Sequence, residues 1–301
     1  MKKLSLITVA VAVFIVGTIA SCEKKPKPTD PTENPTENPT GGTEDGIFVS
    51  KKQETSNYLV ETFTGVNCSS CPSAHRMEDQ LANVFPEKFY VINIQSPGSM
   101  GNAAPPDDLR TNFSSPLWSF ALKKLNQGSV PSAMINRLEP PVNLQYPEGT
   151  LLVHHTDWSQ FITDIIANKP TYVNVAAKTT INSADRTLSC HVQVYYTEDA
   201  PIATNNIIVA VLQNELIAKQ AGDKKYPHMS VLRHLVTGQW GEAIESDMKK
   251  GSLYEKTFTW TIPTDMRTIP IPLENVEILV FISEGKQAPV VKVCKSSIEI
   301  K

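Results

Sequence analysis

The chain has 301 residues, 28 of them basic and 31 acidic, and its formal net charge at pH 7 is −3. This mild acidity argues against nucleic acid as a partner, because nucleic-acid-binding proteins usually carry a basic face. Hydrophobic residues make up 41% of the sequence, which is enough for a folded core in a chain of this length.

The first 21 residues have the pattern of a secretory signal peptide. A basic start is followed by an apolar run over residues 4–19 and then by small residues, which is too short for a membrane span. Cys22 follows directly, and this arrangement resembles the lipobox of bacterial lipoproteins, in which the cysteine is acylated. The alternative is an ordinary signal peptide followed by an unrelated cysteine.

This resemblance implies a protein held at the membrane by a lipid on Cys22. Glu23 comes next, and a residue other than Asp at this position usually permits export to the outer membrane. We therefore expect an outer-membrane, lipid-anchored protein, either periplasmic or surface-facing. Residues 22–46 repeat Pro, Thr, Glu and Asn without apolar residues to bury, so they are predicted to be an extended tether.

Residues 47–169 alternate strands and helices, which predicts an α/β domain. Strands are expected at residues 57–64, 89–94 and 130–136, and helices at 69–84, 117–125 and 157–168. In the first helix Met77, Leu81 and Val84 are predicted to share the buried side. The last helix has apolar residues at i, i+3, i+4, i+7 and i+8, from Trp158 to Ile166.

Residues 170–301 have a different pattern. Alternating apolar and polar residues separated by turn-forming residues predict a β-sandwich. Its strands are expected at residues 171–182, 187–196, 206–216, 253–262, 276–283 and 289–300.

The candidate functional site is the pair Cys68 and Cys71, at the junction of the first strand and the first helix. A helix N-terminus presents unpaired N–H groups and the positive end of the helix dipole, which favours a thiolate. A C-x-x-C motif in this context is typical of a thioredoxin-like redox site.

Val130-Pro131 immediately precedes an apolar strand, and with the cysteine motif it resembles the thioredoxin superfamily, in which a cis-proline faces the dithiol. This resemblance implies that Cys68 is the attacking thiol, that Cys71 resolves the mixed disulfide and that Pro131 flanks the substrate. Glu61 lies near the position of the family's buried proton-shuttling acid, one residue further from Cys68 than is usual.

Two other interpretations of the motif stay open. Cys68 and Cys71 could form a purely structural disulfide, or they could bind zinc together with His75, although no fourth ligand is evident. We therefore expect no metal and no cofactor. Cys190 and Cys294 lie in predicted sandwich strands, where they form either a structural disulfide or two buried thiols.

Residues 226–242, together with the cysteine stretch and residues 130–137, resemble the outer membrane protein 28-related lipoprotein family. The resemblance implies a thioredoxin-like domain followed by an immunoglobulin-like β-sandwich domain behind a lipoprotein signal. Two functions follow as hypotheses. The first is a thiol–disulfide oxidoreductase acting on envelope proteins, and the second is a non-enzymatic binding or structural lipoprotein.

Overall fold

A nine-stranded mixed sheet dominates the fold, and helices are few. The computed structural model describes residues 46–301, so the predicted signal peptide, Cys22 and nearly all of the tether lie outside the described residues. The helical segments are α1 (Cys71–Val84), α2 (Ser114–Leu122), α3 (Trp158–Phe161), a π-helical turn at Ile162–Ile166 and 3-10 turns at Val142–Leu144, His155–Asp157 and Leu273–Asn275.

Seventeen strands occur in the described part of the chain. They are β1 (Tyr58–Thr64), β2 (Phe89–Gln95), β3 (Ser132–Ile135), β4 (Val153–His154), β5 (Val173–Ile181), β6 (Thr187–Tyr196), β7 (Asn206–Gln213), β8 (Leu216–Gln220), β9 (Asp223–His228), β10 (Val231–Leu235), β11 (Glu242–Ala243), β12 (Leu253–Thr261), β13 (Asp265–Met266), β14 (Ile269–Pro270), β15 (Val276–Ser283), β16 (Val290–Lys295) and β17 (Ser297–Ile300).

The large sheet has the strand order β16-β15-β7-β10-β2-β1-β3-β4, and β11 also pairs with β7. Strand β10 is the link: it runs antiparallel to β7 and parallel to β2. The sequence predicts a domain boundary at residues 169–170. The structure adds that strands from both sides of this position share one sheet.

A second sheet has the order β12-β6-β5-β17 and packs against the β7–β15 part of the large sheet. Alternation explains this packing, because every second residue of β6 and β7 points into the shared core. On β6 these are Leu188, Cys190, Val192 and Val194.

Two further cores lie on opposite faces of the β1–β2 region. One contains Leu59, Phe63 and residues of α2, and it continues beneath β7 and β15. The other contains Val60 and residues of α1 and α3. The described chain thus belongs to one compact unit, residues 42–301, which contains these three cores and a smaller fourth one around Leu109 and Leu216.

Two helix predictions need correction. In α1 the buried stripe consists of Cys71, Ala74, Glu78 and Leu81, whereas Val84 is 64% exposed. The helix therefore packs on the sheet through residues three or four positions apart, starting at Cys71. The segment after Asp157 is not one regular helix, because a four-residue α-helix continues as a π-helical turn. Trp158, Phe161, Ile162 and Ile166 are nevertheless buried.

A buried ion pair joins β1 to the residues that follow β3. Arg137, just after β3, donates from Nε and Nη2 to the two carboxylate oxygens of Glu61 on β1, at 2.8 and 2.7 Å. Both side chains are almost fully buried. The guanidinium also lies 5.3 Å from the ring centroid of Phe281 on β15. The pair thus ties the first strand to the second half of the chain.

We predict that Glu61→Gln lowers the free energy of unfolding by about 3–5 kcal/mol, because it leaves the buried Arg137 charge uncompensated. Chemical denaturation measures this loss. The matched control is Glu139→Gln, which removes the exposed pair with Lys123 and should cost less than about 1 kcal/mol. Equal losses in the two variants would contradict the assignment.

Candidate functional site

Cys68 and Cys71 form a disulfide at the N-terminus of α1, with their Cα atoms 5.4 Å apart. Strand β1 delivers the chain to this point, and residues 65–70 turn it into the helix. The Cys68 N–H donates to the Gly65 carbonyl at 2.9 Å, which closes the turn. Pro72 occupies the first turn of α1, where its missing N–H costs nothing.

A neighbouring loop holds this turn in place. The Asn67 backbone N–H donates to the Met100 carbonyl at 2.8 Å, and its side-chain amide donates to the carbonyls of Ser99 and Asn102. The loop passes so close that a Cβ at Gly65 would clash with the Met100 carbonyl. The turn therefore requires glycine at this position.

Pro131 lies beside the disulfide. The Cys68 sulfur is 3.9 Å from the Val130 carbonyl oxygen, and the Val130–Pro131 peptide bond is cis. The structure thus brings together three of the predicted site residues, Cys68, Cys71 and Pro131.

Little of the disulfide meets solvent. Cys68 is 3% exposed and Cys71 is fully buried. The two residues between them, Ser69 and Ser70, are exposed, and the Ser70 hydroxyl lies 3.5 Å from the Cys68 sulfur. An incoming thiol therefore has to approach past these serines.

The hairpin of β8 and β9 packs behind the cysteine turn, which the sequence analysis did not foresee. Gln220 is buried and donates from Nε2 to the carbonyls of Cys68 and Gly65, at 2.6 and 3.0 Å. Lys219 donates from Nζ to Asn67 Oδ1 at 3.1 Å. The second half of the chain thus supplies part of the wall of this site.

His75, one turn after Cys71, connects the same hairpin to β1. One ring nitrogen lies 3.0 Å from the Thr64 hydroxyl and the other 2.9 Å from the Tyr226 hydroxyl. Burial, with the nearby His228 and Arg76, lowers the pKa of His75 to about 4. The ring is therefore neutral at pH 7. With Cys68 and Cys71 joined to each other, it does not form the zinc site considered from the sequence.

Glu61 is not brought to the cysteines. Side chains alternate along β1, so Val60, Thr62 and Thr64 face α1 whereas Glu61 faces the other side of the sheet, where Arg137 binds it.

A different buried acid, Glu78, lies on the α1 side. Thr62 donates to one of its oxygens at 2.6 Å and Asn93 to the other at 3.0 Å. Burial, the dominant cause, raises the pKa of Glu78 to about 7. A sequence signal existed, since Glu78 falls at the 3–4 spacing that begins at Cys71, but a glutamate is rarely fully buried and so does not mark a buried face.

The remaining predicted residues lie elsewhere. Cys190 and Cys294 are free thiols in the structure, so the disulfide considered for them is not formed. Burial raises the pKa of both thiols, which makes them poor nucleophiles. Within residues 46–301 no group of three or more His, Cys, Asp or Glu side chains is placed to hold a metal ion.

The arrangement defines a class of protein: a β-rich protein with a disulfide at a helix N-terminus. Its helices in residues 46–301 all lack the length and hydrophobicity of a membrane span. The sequence profile of outer membrane protein Omp28 matches residues 121–301, which is more than half of the chain. The chain belongs to the Omp28 family, and it is accordingly an outer-membrane, lipid-anchored protein.

Solved structures resemble this chain to different extents, all at low sequence identity. HBP35 of Porphyromonas gingivalis has a TM-score of 0.60 at 13% identity, covering 82% of this chain and 77% of that one. A protein of Agrobacterium tumefaciens has a TM-score of 0.46 at 13% identity, covering 81% and 95%. A domain of the outer membrane lipoprotein Omp28 from Porphyromonas gingivalis has a TM-score of 0.32 at 17% identity, covering 44% and 91%. A search of curated proteins found no match.

We predict that Glu78 makes stability fall as pH rises. Its folded pKa, about 7, lies above the ordinary value of 4.5, so the stabilisation is complete below pH 4.5 and is lost as pH rises through 7. The shift corresponds to about 3 kcal/mol.

The measurement compares the free energy of unfolding of the native protein and Glu78→Gln from pH 4 to pH 8. The histidines with lowered pKa values titrate in both proteins, so the difference isolates Glu78. The native protein should lose stability relative to the variant across this window. A difference that is independent of pH would refute the assignment.

Proposed function

We propose that residues 47–169 are a thioredoxin-like domain that exchanges disulfides with envelope proteins through Cys68 and Cys71. The observation that carries the proposal is the position of this disulfide at the start of α1, in a parallel β1-α1-β2 unit, with the Val130 carbonyl 3.9 Å from the Cys68 sulfur. Residues 170–301 form the immunoglobulin-like domain of the proposal, with the two packed sheets as support.

The exchange has two balanced steps. A substrate thiolate attacks the Cys68 sulfur, a mixed disulfide forms, and Cys71 leaves as a thiolate. A second thiolate of the same substrate then attacks the substrate sulfur of the mixed disulfide. This step forms the substrate disulfide and releases Cys68 as a thiolate. The substrate gains a disulfide, and the Cys68–Cys71 pair takes up two electrons. The reverse sequence reduces a substrate disulfide.

The local geometry favours Cys68 as the sulfur that is attacked. Cys68 precedes the helix next to the exposed Ser69 and Ser70, whereas Cys71 is fully buried within the first turn. The unpaired N–H groups at the start of α1 stabilise a thiolate there.

The proposed anchor gives the reaction its location. With a lipid on Cys22 and a tether over residues 22–46, the dithiol would remain within reach of the outer membrane and of proteins near it. The attachment at Cys22 is part of the proposal, and family membership at the outer membrane supports it.

One observation favours a second function, a non-enzymatic binding or structural lipoprotein. The disulfide is nearly inaccessible, with Cys68 only 3% exposed, and Gln220 holds its backbone from behind. A disulfide so enclosed would serve to fasten the turn to the helix.

We predict that Cys71→Ser accumulates mixed disulfides between Cys68 and envelope proteins, because in the reducing sequence Cys68 still attacks a substrate disulfide and the thiol that would resolve the product is missing. Non-reducing gels of cells expressing the variant, followed by mass spectrometry of reducible adducts, measure this. The control carries Cys68→Ser as well as Cys71→Ser and should form no adducts. Absence of adducts from Cys71→Ser alone would exclude the reducing direction of the exchange.

We further predict that the Cys68–Cys71 pair has a reduction potential between about −120 and −270 mV, the range of known exchange proteins. Titration of residues 42–301 in glutathione buffers, with mass-tagging of the free thiols, measures it. A potential below about −300 mV would instead identify a structural disulfide and favour the second function.

A further inference from the structure

A second site lies away from the cysteines, where three arginines meet in a cavity of about 340 Å³. Arg110 comes from the segment before α2, Arg233 from β10 and Arg267 from the turn between β13 and β14. The rest of the wall is formed by Thr111, Asn112, Phe113, His234 and Met266.

Two of the arginines share one acid. Asp108 accepts from Arg110 at 2.8 and 3.0 Å and from Arg267 at 2.7 Å. The Asp108 side chain is only 4% exposed, and its pKa is lowered by the Arg110 hydrogen bond above all. One carboxylate thus compensates for two guanidinium groups.

Arg233 has no carboxylate partner among the residues that the structure describes. It is 2% exposed, its Nη2 donates to the Met266 carbonyl at 3.2 Å, and its Nε is buried without a hydrogen-bond partner. Burial, with the nearby Arg267, lowers its pKa to about 10, so the group is still charged at pH 7. A buried charge without a counter-ion is costly, and proteins rarely keep one that has no use.

A β-bulge in the backbone sets the direction of the Arg233 side chain. Strand β10 pairs Leu232 with Leu212 and His234 with Val211, so Arg233 is the extra residue of a β-bulge. Bulges redirect a side chain and are frequent next to functional sites. The neighbouring His234 is held by stacking on Trp260, with ring centroids 4.2 Å apart.

The charges around the cavity do not cancel. Three guanidinium groups face one carboxylate, and His234 adds no positive charge at pH 7 because burial lowers its pKa. The surplus is therefore two positive charges. A phosphate monoester carries between one and a half and two negative charges at neutral pH, and guanidinium groups bind its oxygens with paired hydrogen bonds.

We propose that this cavity binds a phosphate group, carried either by a small soluble phosphate ester or by a phospholipid headgroup. Arg233 supplies the central positive charge, and Arg110 and Arg267 flank it. The site is separate from the disulfide, and the proposal does not depend on exchange activity.

The test uses residues 42–301, which form one compact unit. Thermal unfolding is followed while inorganic phosphate is titrated against chloride at constant ionic strength. Phosphate at about ten times its Kd should raise the Tm of the native protein by about 3 °C or more. In Arg233→Met, which replaces the charge by an apolar chain of similar length, phosphate affinity should fall at least tenfold.

A structural arginine serves as the matched control. Arg186 donates to the carbonyls of Ile262, Pro263 and Ile271, so Arg186→Met should lower the Tm and leave the phosphate-induced shift intact. Arg233→Met should instead have an equal or higher Tm than the native protein without phosphate, because an uncompensated charge is gone. Equal phosphate shifts in Arg233→Met and the native protein, or no shift in either, would overturn the proposal.

Vesicles and a soluble ester distinguish the two sources. If glycerol phosphate raises the Tm and the protein does not bind to phosphatidylglycerol vesicles, the ligand is a soluble phosphate ester. If the protein sediments with phosphatidylglycerol but not with phosphatidylcholine vesicles, and Arg233→Met loses this binding, the ligand is a phospholipid headgroup. Vesicle binding that Arg233→Met retains would count against the site.

Discussion

The architecture depends on the position of strand β10 between β7 and β2. The backbone of β2 would otherwise be an open edge, and β10 joins it at one residue pair: Val231 pairs with Asn93, and the Asn93 N–H donates to the Ser230 carbonyl at 2.8 Å. On its other side β10 pairs with β7. Because both edges are paired, one hydrogen-bonded sheet runs from β16 to β4. The β8–β9 hairpin precedes β10 directly, and this is why it lies behind the cysteine turn.

The buried polar groups fall into two kinds. Glu61 is satisfied by Arg137, and Glu78 by Thr62 and Asn93, so each adds to the order of the core. Arg137 and Asn93 each leave one buried atom without a hydrogen bond, as Arg233 does. Arg233 differs because, among the described residues, its charge has no carboxylate partner, whereas Arg137 is paired with Glu61. A buried charge without a counter-ion is costly, and this separates the arginine cavity from the polar network near α1.

Many of the strands could be predicted from the sequence, because apolar and polar residues alternate wherever one face of a strand is buried. Strands β6 and β15 have the expected bounds, and α1 begins two residues later than predicted. The β8–β9 hairpin could not be predicted in this way. Residues of β9 are mostly exposed and include Lys224, Lys225 and Pro227, so no apolar alternation marks the strand.

The candidate disulfide site could be predicted in part, because some of its residues belong to short local patterns in the sequence. Cys68, Cys71 and Pro131 belong to a local motif and a proline-strand junction, which the sequence displays directly. The direction in which Glu61 points depends on the register of β1, since a shift by one residue exchanges the two faces. The contacts of Gln220 and Tyr226 join residues far apart in the chain, and a single sequence contains no signal for such pairs.

The placement of β10 also has a consequence for the order of folding. Asn93 and Val231 are paired but far apart in the chain, and such non-local pairings form slowly because a long loop must close first. During synthesis the β1-α1-β2 unit emerges well before its final neighbour, with the edge of β2 unprotected and Gln220 not yet in place behind the cysteine turn. Cys68 and Cys71 are therefore more accessible in the nascent chain than in the finished protein.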